Sequence, residues 1–212
     1  YTVLFIADAI TSIIMATMIA VLLTETRPED DEDAPTQTFG QTFKGYGKVL
    51  RDYGFATFLL VSIIVQLVYI QMYSTMPVYL RDVHDIPAQG YGYILSMNAG
   101  MVVIFQFWFT RRTRGYAPLM MMALGSFFYM IGFGMYGIVS VFGLFAVGMI
   151  LITIGEMIVM PVAQALVAQL SPSDMRGRYM AMFGFSWTIP SAVGPYLAGL
   201  VMDNGNPDAV WY

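Results

Sequence analysis

The stretch VFGLFAVGMILITIGEMIVMPVAQALVAQLSPSDMRGR, residues 141–178, runs from Val141 to Ser173 with a single charged residue, Glu156, and then turns basic at Arg176 and Arg178. A helix crossing about 30 Å of hydrocarbon needs roughly 20 apolar residues. Residues 141–166 supply them, and five other stretches do the same, at about 2–23, 55–80, 90–109, 118–137 and 179–202. Each is continuously apolar. A membrane β-barrel would show short segments of alternating polarity instead. With no water to satisfy the backbone inside a bilayer, continuous apolar runs predict helices. The expected fold is therefore all-α, a polytopic transmembrane helical bundle.

The gaps between the spans carry an orientation signal. Arg27, Lys44, Lys48 and Arg51 lie in the first gap, Arg111, Arg112 and Arg114 in the third, Arg176 and Arg178 in the fifth. The second gap holds only Arg81 and the fourth has no basic residue. Lys and Arg accumulate on cytoplasmic loops. The basic gaps are thus expected in the cytoplasm of a multi-pass cell (inner) membrane protein, with both chain ends outside. That arrangement, and a start inside an apolar stretch without Met, point to a window of a larger protein.

Composition agrees. Hydrophobic residues make up 58% of the chain and charged residues 11%, far below the roughly 25% of a soluble domain. The surface must face lipid. The formal net charge of −4 says little about partners, because the acids cluster between Glu29 and Asp33. No basic patch with interleaved aromatics points to nucleic acid. The absence of cysteine excludes disulfides, thiolate catalysis and cysteine metal sites. The one histidine, His84, falls in an expected loop, so no metal and no cofactor is expected. An enzyme would need grouped nucleophiles, metal ligands or paired acids. The only acids in spans are Asp8 and Glu156, on different helices at different depths.

Residues 24–54 read TETRPEDDEDAPTQTFGQTFKGYGKVLRDYG and form the one long linker. The acidic first half should be solvated. The second half spaces Phe43, Tyr46, Val49, Leu50 and Tyr53 among basic residues. That suits either a short helix on the inner membrane surface or a plain loop. The expected organisation is 1–23 as one span, 24–54 as a cytoplasmic linker and 55–212 as a bundle.

A charge at the bilayer centre is costly, so an ionisable residue there normally faces protein or water. Glu156 lies about 15 residues from the external end of its span, roughly 22 Å in, past the midplane. Thr153, Met160 and Gln164 share its face. A carboxyl group in hydrocarbon without a cation favours its protonated form, and no Lys or Arg lies in the core of any span. Glu156 would then exchange a proton, as proton coupling requires. The alternative is a protonated acid that only bonds a neighbouring helix. Asp8, in the outer third of the first span, is the weaker candidate. Gln66, Tyr69 and Tyr73 form a stripe on the second span, and Ser96 and Asn98 sit at mid-depth on the third. Such groups suit a cavity for an amphipathic solute, or simply link helices.

Three segments together resemble the major facilitator superfamily, in particular its proton-coupled, multidrug-exporter-like branch. GEMIVMPVAQALVAQLSPSDMRGRYMA, residues 155–181, is similar to the tenth helix and following loop of that family. TIPSAVGPYLAGLVMD, residues 188–203, is similar to the eleventh, and LLTETRPED, residues 22–30, to the end of the sixth. The resemblance makes the spans helices six to eleven of twelve. The first would be the last helix of the N-terminal half. The others would be the C-terminal half without its last helix. It implies a secondary transporter in which helices seven and ten line the central cavity. Gln66, Tyr69 and Tyr73 on helix seven would then face the cavity, and Glu156 on helix ten would carry the proton, while Ser96, Asn98, Thr153 and Met160 are cavity candidates by their position and spacing. Arg111, Arg112, Arg114, Arg176 and Arg178 would lie in cytoplasmic gating loops, although TRRTRGYAP, residues 110–118, lacks the usual acid of the family's loop.

The expectation is a monomeric transporter in the lipid bilayer, exchanging protons for a small amphipathic compound by alternating access. A uniporter or symporter of a sugar or metabolite is the nearest rival, and a membrane scaffold or sensor a distant one.

Overall fold

The computed structural model describes residues 2–22 and 39–212. Arg27 and the acidic run Glu29–Asp33 lie outside the described residues. The chain divides into two units, Tyr1–Thr38 and Phe39–Tyr212. In the first, α1 (Thr2–Leu22) is apolar along its length, and Asp8 on it is exposed.

The second unit is a helical bundle. Its elements are α2 (Phe39–Arg51), α3 (Tyr53–Tyr69), α4 (Gln71–Ser74), α5 (Met76–His84), α6 (Ala88–Thr113), α7 (Pro118–Tyr136), α8 (Phe142–Leu170), α9 (Arg176–Phe183) and α10 (Phe185–Asn204), followed by a short 3-10 helix, Pro207–Trp211. Among the described residues, five stretches are long and apolar enough to cross a membrane: Phe5–Leu22, Tyr53–Ser74, Ala88–Thr113, Pro118–Tyr136 and Phe142–Leu170. The sixth expected span, 179–202, is divided between α9 and α10 at Gly184. Serine, threonine, proline and glycine dilute the apolar content of α10, which stands outside that set of five.

Of the two readings of the linker's second half, a short helix or a plain loop, the structure shows the helix: Phe39–Arg51 folds as α2 and packs into the bundle, with Val49 fully buried beside Phe55 and Tyr179. One expectation about loops is corrected. Arg111 and Arg112 stand on the last turn of α6, and Arg176 and Arg178 on the first turn of α9, so four of the five arginines expected in loops are helical. At α6 the Arg111 guanidinium lies 5.3 Å from the ring centre of Phe107, one turn back, a contact that favours the helical spacing there.

Asp52 is the single residue between α2 and α3. Its carboxylate accepts from the Phe55 amide at 3.1 Å, capping α3, and from the Tyr179 hydroxyl at 2.9 Å. One core cluster, with Val49, Phe55, Phe58, Val167 and Tyr179, sits at this end. A larger one surrounds Tyr69, Met72, Tyr79, Phe133, Tyr136 and Trp211. There the Tyr79 hydroxyl lies 3.0 Å from the Tyr136 carbonyl oxygen and 2.6 Å from Asp208 Oδ1. This ties α5, α7 and the 3-10 helix together. His84 ends α5 with its ring packed edge-on to Tyr79 and Phe145.

Other faces of the spanning helices are apolar and bare. Val103 on α6 is 83% exposed and Phe107 71%. A water-soluble protein does not present such faces; a lipid-facing one requires them.

Candidate functional site

Glu156 does not point at lipid alone. Asn98 on α6 reaches α8 and donates from Nδ2 to Glu156 Oε2 at 2.8 Å and to Thr153 Oγ1 at 2.9 Å. The Thr153 hydroxyl donates in turn to the Met149 carbonyl at 2.7 Å. The chain of donors is self-consistent. Thr153 spends its proton on the backbone, so its oxygen is an acceptor, and the two amide hydrogens of Asn98 satisfy two acceptors at once. Thr153 is fully buried, Asn98 is 5% exposed, and Glu156 is half-buried.

Tyrosines frame this cluster. Tyr69 on α3 and Tyr129 on α7 both lie near Glu156. The hydroxyls of Tyr69 and Tyr73 are 3.3 Å apart. The Tyr69 ring also packs against Tyr129 at 5.7 Å and Trp187 at 6.0 Å, centre to centre. The Tyr129 hydroxyl and Gln66 Nε2 are buried without a hydrogen-bonding partner among the described residues. Each keeps unused capacity for a polar ligand.

A hollow of about 570 Å³ opens along the same face of α8, between α3, α7, α9 and α10. Gln66, Ser62, Met160, Gln164, Ser126 and Trp187 are among its lining residues, and the remaining walls are mostly apolar. Glu156 is not part of this wall. Met160, one turn further on, is.

The sequence candidates thus separate into groups. Glu156, Thr153 and Asn98 meet in one hydrogen-bonded cluster. Tyr69 stands beside it, with Tyr73 attached. Gln66 and Met160 belong to the hollow. Ser96 does neither and is exposed, because two residues along a helix turn the side chain about 200° away from Asn98.

Tyr129 and Trp187 were not legible beforehand and read only as apolar span residues. Gln106, a polar residue low on the third span, has a structural task that Pro161 creates. A proline lacks the amide hydrogen that the carbonyl four residues earlier would accept. That carbonyl belongs to Met157, and Gln106 Nε2 on α6 donates to it at 3.1 Å. A proline within a span is the signal for such a demand, but it does not say which neighbour answers.

The arrangement brings a carboxyl group, an amide and a hydroxyl from two membrane-length helices into contact beside tyrosines and an adjoining apolar hollow. The family model of the Major Facilitator Superfamily matches residues 1–195. The chain belongs to the Major Facilitator Superfamily. Among its relatives, a Na(+), Li(+), K(+)/H(+) antiporter of Planococcus maritimus is 24% identical over 72% of this chain and 39% of the relative. The uncharacterized MFS-type transporter YqjV of Bacillus subtilis is 25% identical over 86% of this chain and 45% of that protein. A second one from the same species, YttB, is 25% identical over 65% of this chain and 35% of that protein. The chain spans less than half the length of these relatives.

Proposed function

We propose that this chain is the proton-coupled part of a secondary transporter that works by alternating access and exports small amphipathic compounds. In this reading Glu156 carries the proton. The observation that supports it most directly is the Asn98–Glu156 hydrogen bond between α6 and α8. An ionised carboxylate is a strong acceptor and a protonated one a weaker acceptor that also donates. Proton uptake would therefore change the bond that joins the two helices. A proton biases one orientation of the transporter over another only through such a difference between states.

The hollow along α8 suits the substrate class. It offers a largely apolar wall with a few amide and hydroxyl groups, which matches a compound with an oily body and a polar end. Rocking of helical halves about a central site would expose it to each side in turn. The protein would act as a monomer in the inner membrane, its basic ends in the cytoplasm, Arg111, Arg112, Arg114, Arg176 and Arg178 flanking the inner gate.

The antiporter relative favours a second reading, exchange of a monovalent cation for protons. A carboxylate, an amide oxygen and a hydroxyl are hard oxygen donors of the kind alkali cations accept. Asn98 would have to turn its amide to take part.

The test uses the full-length protein in proteoliposomes with an imposed pH gradient. Glu156→Gln should abolish gradient-driven movement of an amphipathic fluorescent substrate while leaving its binding intact. Unchanged transport in that variant would remove the proton role. Proton release prompted by sodium or potassium, and not by amphipathic substrates, would select the second reading.

A further inference from the structure

The helix α2 takes no part in the site just described, yet its side chains divide into three faces about a third of a turn apart. Gly45, Val49 and Asp52 form the face that docks on the bundle. Val49 is fully buried, and the Arg178 guanidinium rests on Gly45 so closely that an added Cβ there would stand 2.6 Å from it. Leu50, which is 52% exposed, lies on a second face, and Tyr53, 87% exposed, opens α3 immediately beyond the non-helical Asp52. Lys44, Lys48 and Arg51 are exposed along the third, at spacings of four and three residues. No acidic residue occurs in α2 itself.

The position of this helix is set by its connection. Asp52 alone separates it from α3, which begins the membrane-length stretch Tyr53–Ser74. A helix joined by one residue to the end of a span sits at the depth of the lipid headgroups. There, a docked face, an apolar face and a basic face meet three different surroundings: protein, acyl chains and headgroup phosphates. Juxtamembrane basic clusters are drawn to anionic lipid. The bonds of Asp52 to Phe55 and Tyr179 hold the helix in place beforehand, so little ordering remains to oppose binding.

We propose that α2 is a docking surface for the headgroups of anionic phospholipids in the inner leaflet, with Lys44, Lys48 and Arg51 as the phosphate-binding residues and Leu50 and Tyr53 as the apolar anchor. The inference rests on the membrane reading of the fold and is independent of the proton role of Glu156.

The experiment places the full-length protein in nanodiscs of phosphatidylcholine, with or without phosphatidylglycerol, and follows amide hydrogen exchange across residues 39–51. Phosphatidylglycerol should slow that exchange by on the order of a hundredfold, the effect of three basic residues at about 1 kcal/mol each on an anionic surface. The variant Lys44→Gln/Lys48→Gln/Arg51→Gln should lose the response, and Lys44→Arg/Lys48→Arg should keep it. Slow exchange in α6 and α8 in every disc reports that the bundle is folded and inserted. The proposal is overturned if α2 is protected equally without anionic lipid, or if the glutamine variant still responds. It also falls if soluble glycerol phosphate reproduces the effect, which would assign the site to free phosphate.

Discussion

Gly125 on α7 and Gly155 on α8 face each other so closely that a Cβ on Gly155 would stand 2.7 Å from the Gly125 carbonyl oxygen, and one on Gly125 would stand 3.0 Å from the oxygen of Gly155. Small residues at such a contact let two membrane helices approach to backbone distance. Gly155 also precedes Glu156, so this contact sets the depth and rotation of the carboxyl group.

Gly155→Ala should therefore destabilise the protein, although alanine is the better helix former by about 1 kcal/mol. The new methyl meets backbone, which cannot move aside as a side chain tip can. Overpacking of this kind costs about 1–3 kcal/mol. Gly134→Ala on α7, where nothing stands within 4 Å of the added atom, is the control and should be neutral or stabilising. Thermal unfolding in detergent decides between them: equal Tm values for both variants would refute the close contact.

On the proposed proton role of Glu156, Asn98→Ala should lower proton-driven exchange, because Glu156 and Thr153 lose their shared donor. The loss should depend on the carboxylate. In a Glu156→Gln background the same change should have little further effect on exchange, giving a coupling between the two positions of about 0.5–3 kcal/mol, the range for residues in direct contact. Additive losses in that double-mutant cycle would show that Asn98 acts elsewhere.

Gln106→Leu should cost about 1–3 kcal/mol, since it strands the Met157 carbonyl in a buried position. Pro161→Ala restores an amide hydrogen one turn along α8. In that background Gln106→Leu should cost much less. Denaturation of the four proteins in one detergent tests this, and an undiminished cost would mean that Gln106 matters through its bond to Thr110 instead.

Asp52→Ala should destabilise the bundle by about 1 kcal/mol through loss of the α3 cap, with a further decrement from the freed Tyr179 hydroxyl. Tyr179→Phe removes only the second contact and should show the smaller fall in Tm. A larger fall for Tyr179→Phe would reverse the assignment of the cap as the main contribution.

Particular residues show how far the chain could be read in advance. The spans between residues 55 and 166 were visible because hydropathy is a local property and each run is long. Glu156 stood out for the same reason, as one charge among some thirty uncharged neighbours. Thr153 and Met160 followed from helical spacing, which needs no partner helix. Asn98 was a candidate but its bond to Glu156 was not foreseeable, and Ser96 was chosen beside it although the two face nearly opposite ways. Arg111 and Arg112 were placed in a loop because charge ends an apolar run, whereas α6 continues beneath their long side chains; Arg176 and Arg178 instead open a new helix, α9, after the non-helical break at 171–175.

What the amino-acid order determined by itself was therefore an all-helical membrane chain with basic residues gathered in alternate gaps and one carboxyl group set among apolar neighbours. Oil–water partition and the 3.6-residue turn suffice for that, since both act over a few adjacent residues. Only the tertiary structure decided which amide meets Glu156, which side chain answers the carbonyl left by Pro161, and that α2 docks on Tyr179. Those choices depend on how each helix is rotated about its axis and on where it crosses its neighbours, quantities set by contacts between residues far apart in the chain.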